Sequence, residues 1–165
     1  MSDIRIEAGK LRAFMERAFE KEGFDTHQAQ RIADVLMQAD LFGIESHGAQ
    51  RMMYYHQNIA SGSIDVHAHA QTLRETPVSA LMDGHFAMGQ LTAAKAMETA
   101  MEKAKKTGVG LVAVRSSSHY GIAGYYPLMA AREGLAAFSM TNTGPIMVPT
   151  FGREMMLGTN PLAFS

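Results

Sequence analysis

Residues 78–114 read VSALMDGHFAMGQLTAAKAMETAMEKAKKTGVGLVAV, and this stretch decides the fold class. Residues 78–83 form a short apolar run closed by Asp83-Gly84, a turn signal. Residues 90–107 place Ala93, Met97, Ala100, Met101 and Ala104 at helical spacing. That helix ends in Lys-Lys-Thr-Gly, where cations meet the negative end of the dipole and a glycine supplies the cap. Residues 109–114 are an almost uninterrupted apolar run, the pattern of a strand buried on both faces. Downstream, residues 121–133 read as a short helix ended by Gly134, and residues 135–141 as another apolar strand. Strand, helix, strand, helix, strand amounts to two βαβ crossovers, so the predicted class is α/β with a partly parallel sheet. The strands 78–83, 109–114 and 135–141 are expected to be parallel neighbours or near neighbours, with His85, His119 and Asn142 gathered at one edge.

Upstream the periodicity is helical throughout. Leu11, Phe14, Met15, Ala18 and Phe19 repeat at i, i+3, i+4, i+7, i+8 before Gly23. Ile32, Val35, Leu36 and Ala39 follow, with Asp25 or Thr26 as cap and Gly43 as stop. A third helix is predicted from Ser46 as N-cap through Met52, Met53, Tyr55 and Ile59 to about Gly62, and the polar, His-rich residues 63–71 serve as a connection. The expected organisation is an N-terminal helical segment over 1–62 and an incomplete α/β cofactor and substrate domain over 72–165.

Composition narrows the function classes. Fifteen Lys and Arg against sixteen Asp and Glu leave a net charge of −1, which gives no electrostatic reason to seek nucleic acid or an anionic membrane. The absence of cysteine excludes disulfides, thiolate metal sites and cysteine nucleophiles. The opening MSDIRIEAGK lacks the apolar core of a signal peptide, and no window reaches the roughly 18 apolar residues of a membrane span, so a soluble cytoplasmic protein is expected. The fourteen methionines sit mostly at helical core spacings and read as packing. The chain stops in the apolar run Pro161-Leu162-Ala163-Phe164-Ser165, an incipient strand, and the expectation drawn from this is a fragment.

Ligands of open α/β sheets bind beyond the carboxyl ends of the strands. Three segments fall there: Asp83-Gly84-His85, Arg115-Ser116-Ser117-Ser118-His119-Tyr120-Gly121, and Asn142-Thr143-Gly144-Pro145. The Ser-rich loop before Gly121 and Gly124 can admit a phosphate or carboxylate, although ordinary helix capping explains it as well. It is not a GxGxxG fingerprint, which the chain lacks. A second concentration is Gly43-Ile44-Glu45-Ser46-His47-Gly48-Ala49-Gln50-Arg51. On a helix starting at Ser46, His47 and Arg51 share one face. A histidine that moves a proton near neutral pH, one turn from a guanidinium that holds a carboxylate bidentately, suits a 2-oxo or 2-hydroxy acid. A capped helix start with solvated His47 and Arg51 meets the same spacing. His67 and His69 lie in an unpatterned polar segment without an acidic third ligand, and no metal site is expected.

Four motifs occur in order: Gly43-Ile44-x-Ser46-His47-Gly48-x-x-Arg51, Asp83-Gly84-His85-x-x-Met88-Gly89-Gln90, Ser118-His119-x-Gly121-x-Ala123-Gly124-Tyr125-Tyr126, and Gly158-Thr159-Asn160-Pro161. Together they resemble the malate/L-lactate dehydrogenase family that is distinct from the Rossmann lactate and malate dehydrogenases. The resemblance covers nearly the whole chain. It implies a non-Rossmann α/β fold, NAD or NADP as cofactor, a small 2-hydroxy or 2-oxo acid as substrate, and a homodimer with the active site near the subunit interface. It implies His47 as proton donor with Ser46 in its relay, Arg51 as carboxylate anchor and Thr159 near the substrate. His119, Tyr120, Gly121, Ile122 and Ala123 match a cofactor-contacting segment, and His119 competes with His47 for the acid/base role. Family members run to about twice this length, so an N-terminal half is expected, with the relay Asp and further cofactor segments beyond Ser165. Two rivals stand beside this reading: a metallohydrolase using His67, His69, His85 and His119, and a non-catalytic truncated remnant.

Overall fold

The computed structural model describes residues 5–165, which divide into two compact units meeting between Ile122 and Ala123. The first unit opens with three helices, α1 (Ala8–Lys21), α2 (Thr26–Leu41) and α3 (Met52–Ala60). Asp25 is the α2 cap: its carboxylate accepts the Gln28 N–H while the Gln28 side chain accepts the Asp25 N–H, a reciprocal capping box. Gly23 turns the chain between α1 and α2 at φ +108°, a conformation a side chain would strain. Met15, Phe19, Phe24, Ile32, Leu36 and Tyr55 form the helical core together with Ile64 and Met88. Within it Phe19 meets both Phe24 and Tyr55 edge-on, with ring centroids 6.3 and 6.5 Å apart.

The predicted third helix differs in its first turns. Residues 45–47 and 49–51 are two separate 3₁₀ turns, and α3 begins only at Met52. Ser46 therefore caps nothing. The break falls at Gly48, whose backbone lies against the Asp40 carboxylate so closely that a Cβ would overlap it. That carboxylate accepts the Ala49 N–H at 2.8 Å, replacing a helical bond with a tertiary one. His47 and Arg51 are consequently not neighbours on an α-helical face. They are brought together by the two turns instead.

The sheet of this unit has the order β1-β2-β3, with β1 (Gln71–Glu75) antiparallel to β2 (Ser79–Asp83) and β2 parallel to β3 (Leu111–Arg115). Helix α4 (Gly89–Thr107) makes the crossover between β2 and β3 and ends at Gly108, left-handed at φ +88°. The first predicted βαβ unit is therefore present. β1 was not anticipated, because all five of its residues are exposed and carry no alternation. With β2 central, β3 stands at the edge and alternates exposed and half-buried residues, in place of the predicted burial on both faces. At the carboxyl edge, buried Asp83 and Arg115 are register partners, and the Arg115 Nε donates to Asp83 Oδ2 at 2.7 Å.

In the second unit, α5 (Tyr125–Ala131) precedes β4 (Phe138–Met140), which pairs antiparallel with β5 (Leu162–Phe164). The predicted second crossover is corrected here. Among the described residues the 135–141 strand belongs to a two-stranded sheet of its own and does not extend the β1-β2-β3 sheet, so Asn142 follows a strand outside that sheet. The reason is the returning strand: residues 141–161 loop back with a bridge between Met147 and Leu157, and Phe138 packs on Phe164 at 4.7 Å. An antiparallel return needs no helical crossover. The apolar run at 162–164 is the partner that makes it possible.

The loops after β2 and β3 are locked to each other. Gly84 N–H donates to Arg115 O at 2.8 Å, and Phe86 N–H to Ser116 O at 2.9 Å. Gly89, the first residue of α4, lies against the backbone carbonyls of Ser118 and His119, with no room for a Cβ. Gly89→Ala must push backbone, not a pliable side chain. We expect it to destabilise the fold by about 3 kcal/mol, whereas Gly144→Ala, with open space around it, stays within about 0.5 kcal/mol. Urea unfolding of the two variants checks this, and equal midpoints would show that the 118–119 loop yields freely.

Candidate functional site

The site lies where the 45–51 turns, the start of α3 and the 116–121 loop converge. His47, supplied by the first 3₁₀ turn, stacks on His119 with ring centroids 5.5 Å apart and planes inclined by 26°. The two histidines that competed for one role thus occupy one site. Ser46 Oγ stands 2.9 Å from His47 Nδ1, so neighbouring side chains that would fan apart on an α-helix meet in this turn. Arg51 is anchored by its Nε donating to the Ser46 carbonyl at 2.6 Å, and its guanidinium carbon sits 5.4 Å from the Tyr54 ring centroid. Among the described residues no carboxylate forms an ion pair with Arg51.

His119 is held from behind. Tyr55, fully buried, has its hydroxyl 2.6 Å from His119 Nδ1. The Gly121 N–H also points at that nitrogen, at 3.3 Å. A backbone N–H can only donate, so Nδ1 is an acceptor, Tyr55 donates to it, and the neutral ring carries its proton on Nε2. Tyr54 packs against the same ring at 5.7 Å. Gly121 takes φ +81° with Val35 where a Cβ would go, so the turn beyond His119 requires glycine.

Burial sets the charge state of these groups. His119 has its pKa lowered to about 4, first by desolvation and then by the positive field of Arg51 and by His47. His47 is lowered from 6.5 by the same two leading causes, burial and then Arg51. Burial pushes the Tyr55 hydroxyl well up. At neutral pH the cluster therefore comprises two neutral imidazoles, a neutral phenol and one guanidinium. Such an arrangement can bind a carboxylate at the cation and exchange a proton at a neighbouring nitrogen.

An open groove of about 530 Å³ borders the cluster, lined by Tyr54, Asn58, Ser63, Phe86, Ser118 and His119. A smaller cavity of about 340 Å³ lies among Glu75, Thr99, Lys103 and Lys106 and touches none of the candidate residues. The other predicted positions fall as follows. Tyr120 is half-buried and Ile122 buried, both within the first unit, while Ala123 begins the second. Thr159 belongs to the second unit, where its N–H donates to Thr143 Oγ1 at 2.9 Å and Asn160 Oδ1 accepts the Thr143 N–H. Among the described residues no three His, Asp or Glu side chains converge as metal ligands, and the metallohydrolase alternative is not favoured. Two residues that matter here were missed in the sequence: Asp40, which shapes the 45–51 turns, and Tyr55 behind His119.

Comparison with known proteins matches this architecture. The family model described as malate/L-lactate dehydrogenase matches residues 6–165. A malate dehydrogenase of Pyrococcus abyssi is 51% identical over 162 residues, spanning 98% of this chain and 45% of that protein. A ureidoglycolate dehydrogenase (NAD(+)) of Escherichia coli is 35% identical over 98% of this chain and 46% of its own length. The structure of malate dehydrogenase from Pyrococcus horikoshii superposes with a TM-score of 0.94 at 46% identity, over 98% of this chain and 46% of that one. The chain thus spans about half the length of the relatives it matches. No helix of the described residues is long and apolar enough to cross a membrane. On sequence and fold together, the chain belongs to the malate/L-lactate dehydrogenase family.

Proposed function

We propose that the protein is an NAD- or NADP-dependent oxidoreductase acting on C2 of a small 2-hydroxy or 2-oxo acid, malate and lactate being the type substrates. The observation that carries the reading is a guanidinium without a carboxylate partner among the described residues, set beside a histidine whose pKa it lowers. Arg51 binds the substrate carboxylate bidentately. His47, held with its Nδ1 2.9 Å from Ser46 Oγ, takes the C2 hydroxyl proton on Nε2 in oxidation and returns it in reduction. Docking a carboxylate on Arg51 cancels the positive field that depresses His47. The base therefore gains proton affinity as the substrate arrives. His119, neutral and fixed as a donor, is assigned to the cofactor side along with Tyr120, Gly121, Ile122 and Ala123, and Thr159 to the substrate.

The residues around the groove fit a nicotinamide dinucleotide by their chemistry. Tyr54 and Phe86 offer aromatic faces, Ser118 a hydroxyl and His119 an N–H donor, around a volume in the usual range for ligand pockets. The cofactor supplies the hydride acceptor in oxidation and the donor in reduction. The same reading includes a homodimer and a cytoplasmic location. The apolar side chains exposed on β3, β4 and β5, among them Leu111, Phe138 and Phe164, offer surface for further protein to cover.

Steady-state kinetics and NADH fluorescence titration of the protein carrying this sequence test the roles. Arg51→Met is expected to raise KM for the acid and lower kcat/KM about a hundredfold, with cofactor affinity unchanged. An equal loss of cofactor binding would mean that Arg51 holds phosphate. His47→Asn is expected to cut turnover by roughly 10² or more while cofactor still binds. His119→Asn is expected mainly to weaken cofactor binding, and the opposite pattern would move the proton to His119.

The pH profile supplies an independent check. Because burial and Arg51 hold His47 below 6.5, kcat/KM for oxidation is expected to rise with pH through a pKa under that value, as the base loses its proton. In Arg51→Met this limb moves to higher pH, since the repelling cation is gone. A limb that stays in place would show that His47 is not the titrating group.

A further inference from the structure

Five residues of the site close a circuit of contacts. Arg51 Nε donates to the Ser46 carbonyl at 2.6 Å, and Ser46 Oγ stands 2.9 Å from His47 Nδ1. His47 stacks on His119 at 5.5 Å, and the His119 ring meets the Tyr54 ring at 5.7 Å with planes inclined by 71°. The circuit returns to Arg51, whose guanidinium carbon lies over the Tyr54 ring at 5.4 Å from its centroid, within reach of a cation–π contact. An α-helix would fix the separation of His47 and Arg51 by its own geometry. Here two 3₁₀ turns break at Gly48, so that separation depends on the contacts around the circuit. One bond at Nε holds one edge of the guanidinium and leaves its plane free to swing. A ring lying against its face removes that freedom and leaves the remaining N–H groups set for bidentate binding. Tyr54 is itself well placed to serve as the platform. It is the third residue of α3, and its ring stands edge-on to the fully buried Tyr55 at 5.4 Å.

We propose that Tyr54 is a positioning residue for the acid substrate: its ring holds the plane of the Arg51 guanidinium and, through His119, closes the circuit that spaces Arg51 from His47. The proposal deepens the dehydrogenase reading and rests on it for the use made of that spacing. A 2-hydroxy acid carries its carboxylate one bond from the carbon that loses hydride, so the anchor and the proton acceptor must be held at one separation. Both contacts of Tyr54 in the circuit are made by its ring, so the ring and not the hydroxyl carries the role. The same ring lines the groove beside His119, which places the carboxylate anchor and the groove on two sides of one aromatic wall.

The test pairs NMR with kinetics on the protein carrying this sequence. In the ¹⁵N-labelled protein at pH 7, without ligand, the Arg51 Nε–H signal is identified by its loss in Arg51→Lys. Tyr54→Leu, with Tyr54→Met beside it should one of them fail to fold, is expected to speed exchange of that proton with water by about fivefold, the scale of one lost cation–π contact. Tyr54→Phe keeps the ring and is expected to restore slow exchange. In reduction of oxaloacetate and pyruvate by NADH or NADPH, Tyr54→Leu is expected to raise KM for the acid by about fivefold, with a smaller change in kcat, and Tyr54→Phe to reverse most of that rise. An Arg51 signal that exchanges alike in wild type and Tyr54→Leu overturns the proposal. So does an acid KM that stays at the wild-type value while the Arg51 signal changes, since the ring would then hold Arg51 to no effect on substrate. A KM rise that Tyr54→Phe shares overturns it as well, by moving the role to the hydroxyl. Failure of the dehydrogenase reading shows up separately, as an absence of NAD(P)H turnover in wild type, and leaves the exchange result untouched.

Discussion

The groove owes its shape to a steric contact between backbones. Gly89 opens α4 directly against the carbonyls of Ser118 and His119, and no side chain fits between them. Helix α4 is the crossover that joins β2 to β3, so its first turn sits at the carboxyl edge of the sheet, where both strand ends turn away. The two loops answer with positive φ at His85, Phe86 and Ser116, none of them glycine. Such angles persist only where surrounding contacts over-determine them. Here the bonds from Gly84 to Arg115 and from Phe86 to Ser116, with the buried Asp83 carboxylate accepting from Arg115 and from the His85 N–H, do so. His119 inherits its place from this frame.

Charge is distributed just as economically. The cluster holds one guanidinium among imidazoles whose pKa values burial and that cation lower, so its field is that of a single positive charge. A carboxylate entering there meets a cation that no ion pair among the described residues already neutralises. Asp83 is tied to Arg115 instead, and Glu22 lies against His56 on the helical side. These two carboxylates are thus engaged elsewhere, and Asp40 is occupied by the Ala49 N–H.

Helices and the central crossover were legible because their patterns are long. The periodicity of α1, α2 and α4 extends over several turns, and the Asp25, Gly23 and Gly108 boundary signals each have one local cause. β1 was not legible, since five exposed residues carry no hydrophobic rhythm and pair only because β2 lies beside them. The partner of β4 was hidden for a related reason: two three-residue strands separated by residues 141–161 give no signal of which edge each will find. At the site, Ser46, His47, Arg51 and His119 announced themselves by residue type, and the structure brings these four together. Their geometry did not follow from spacing. The helix expected to align His47 and Arg51 breaks at Gly48, because Asp40, nine residues before Ala49, captures a backbone N–H. Tyr55 reads in sequence as one more apolar helix residue, and nothing local ties its hydroxyl to a ring 64 positions away.

The order β1-β2-β3 also constrains how the molecule assembles. β1 and β2 are joined by a tight turn at residues 76–78, closed by the Thr76 N–H to Ser79 O bond, so their pairing is local and quick. β3 can add to β2 only after residues 84–110 have been spanned, and that closure gives up chain entropy before any ladder bond repays it. The α1–α2 pair needs no such closure. The edge that carries His119 is therefore the late arrival on the folding path, and on the native side it is the part expected to open first. Amide hydrogen exchange reads this directly, as weaker protection along residues 111–119 than along α2. In a chain built this way the edge that binds ligand is also the edge whose pairing spans the longest loop of the sheet, so ligand binding is expected to hold closed the part of the sheet that opens most readily.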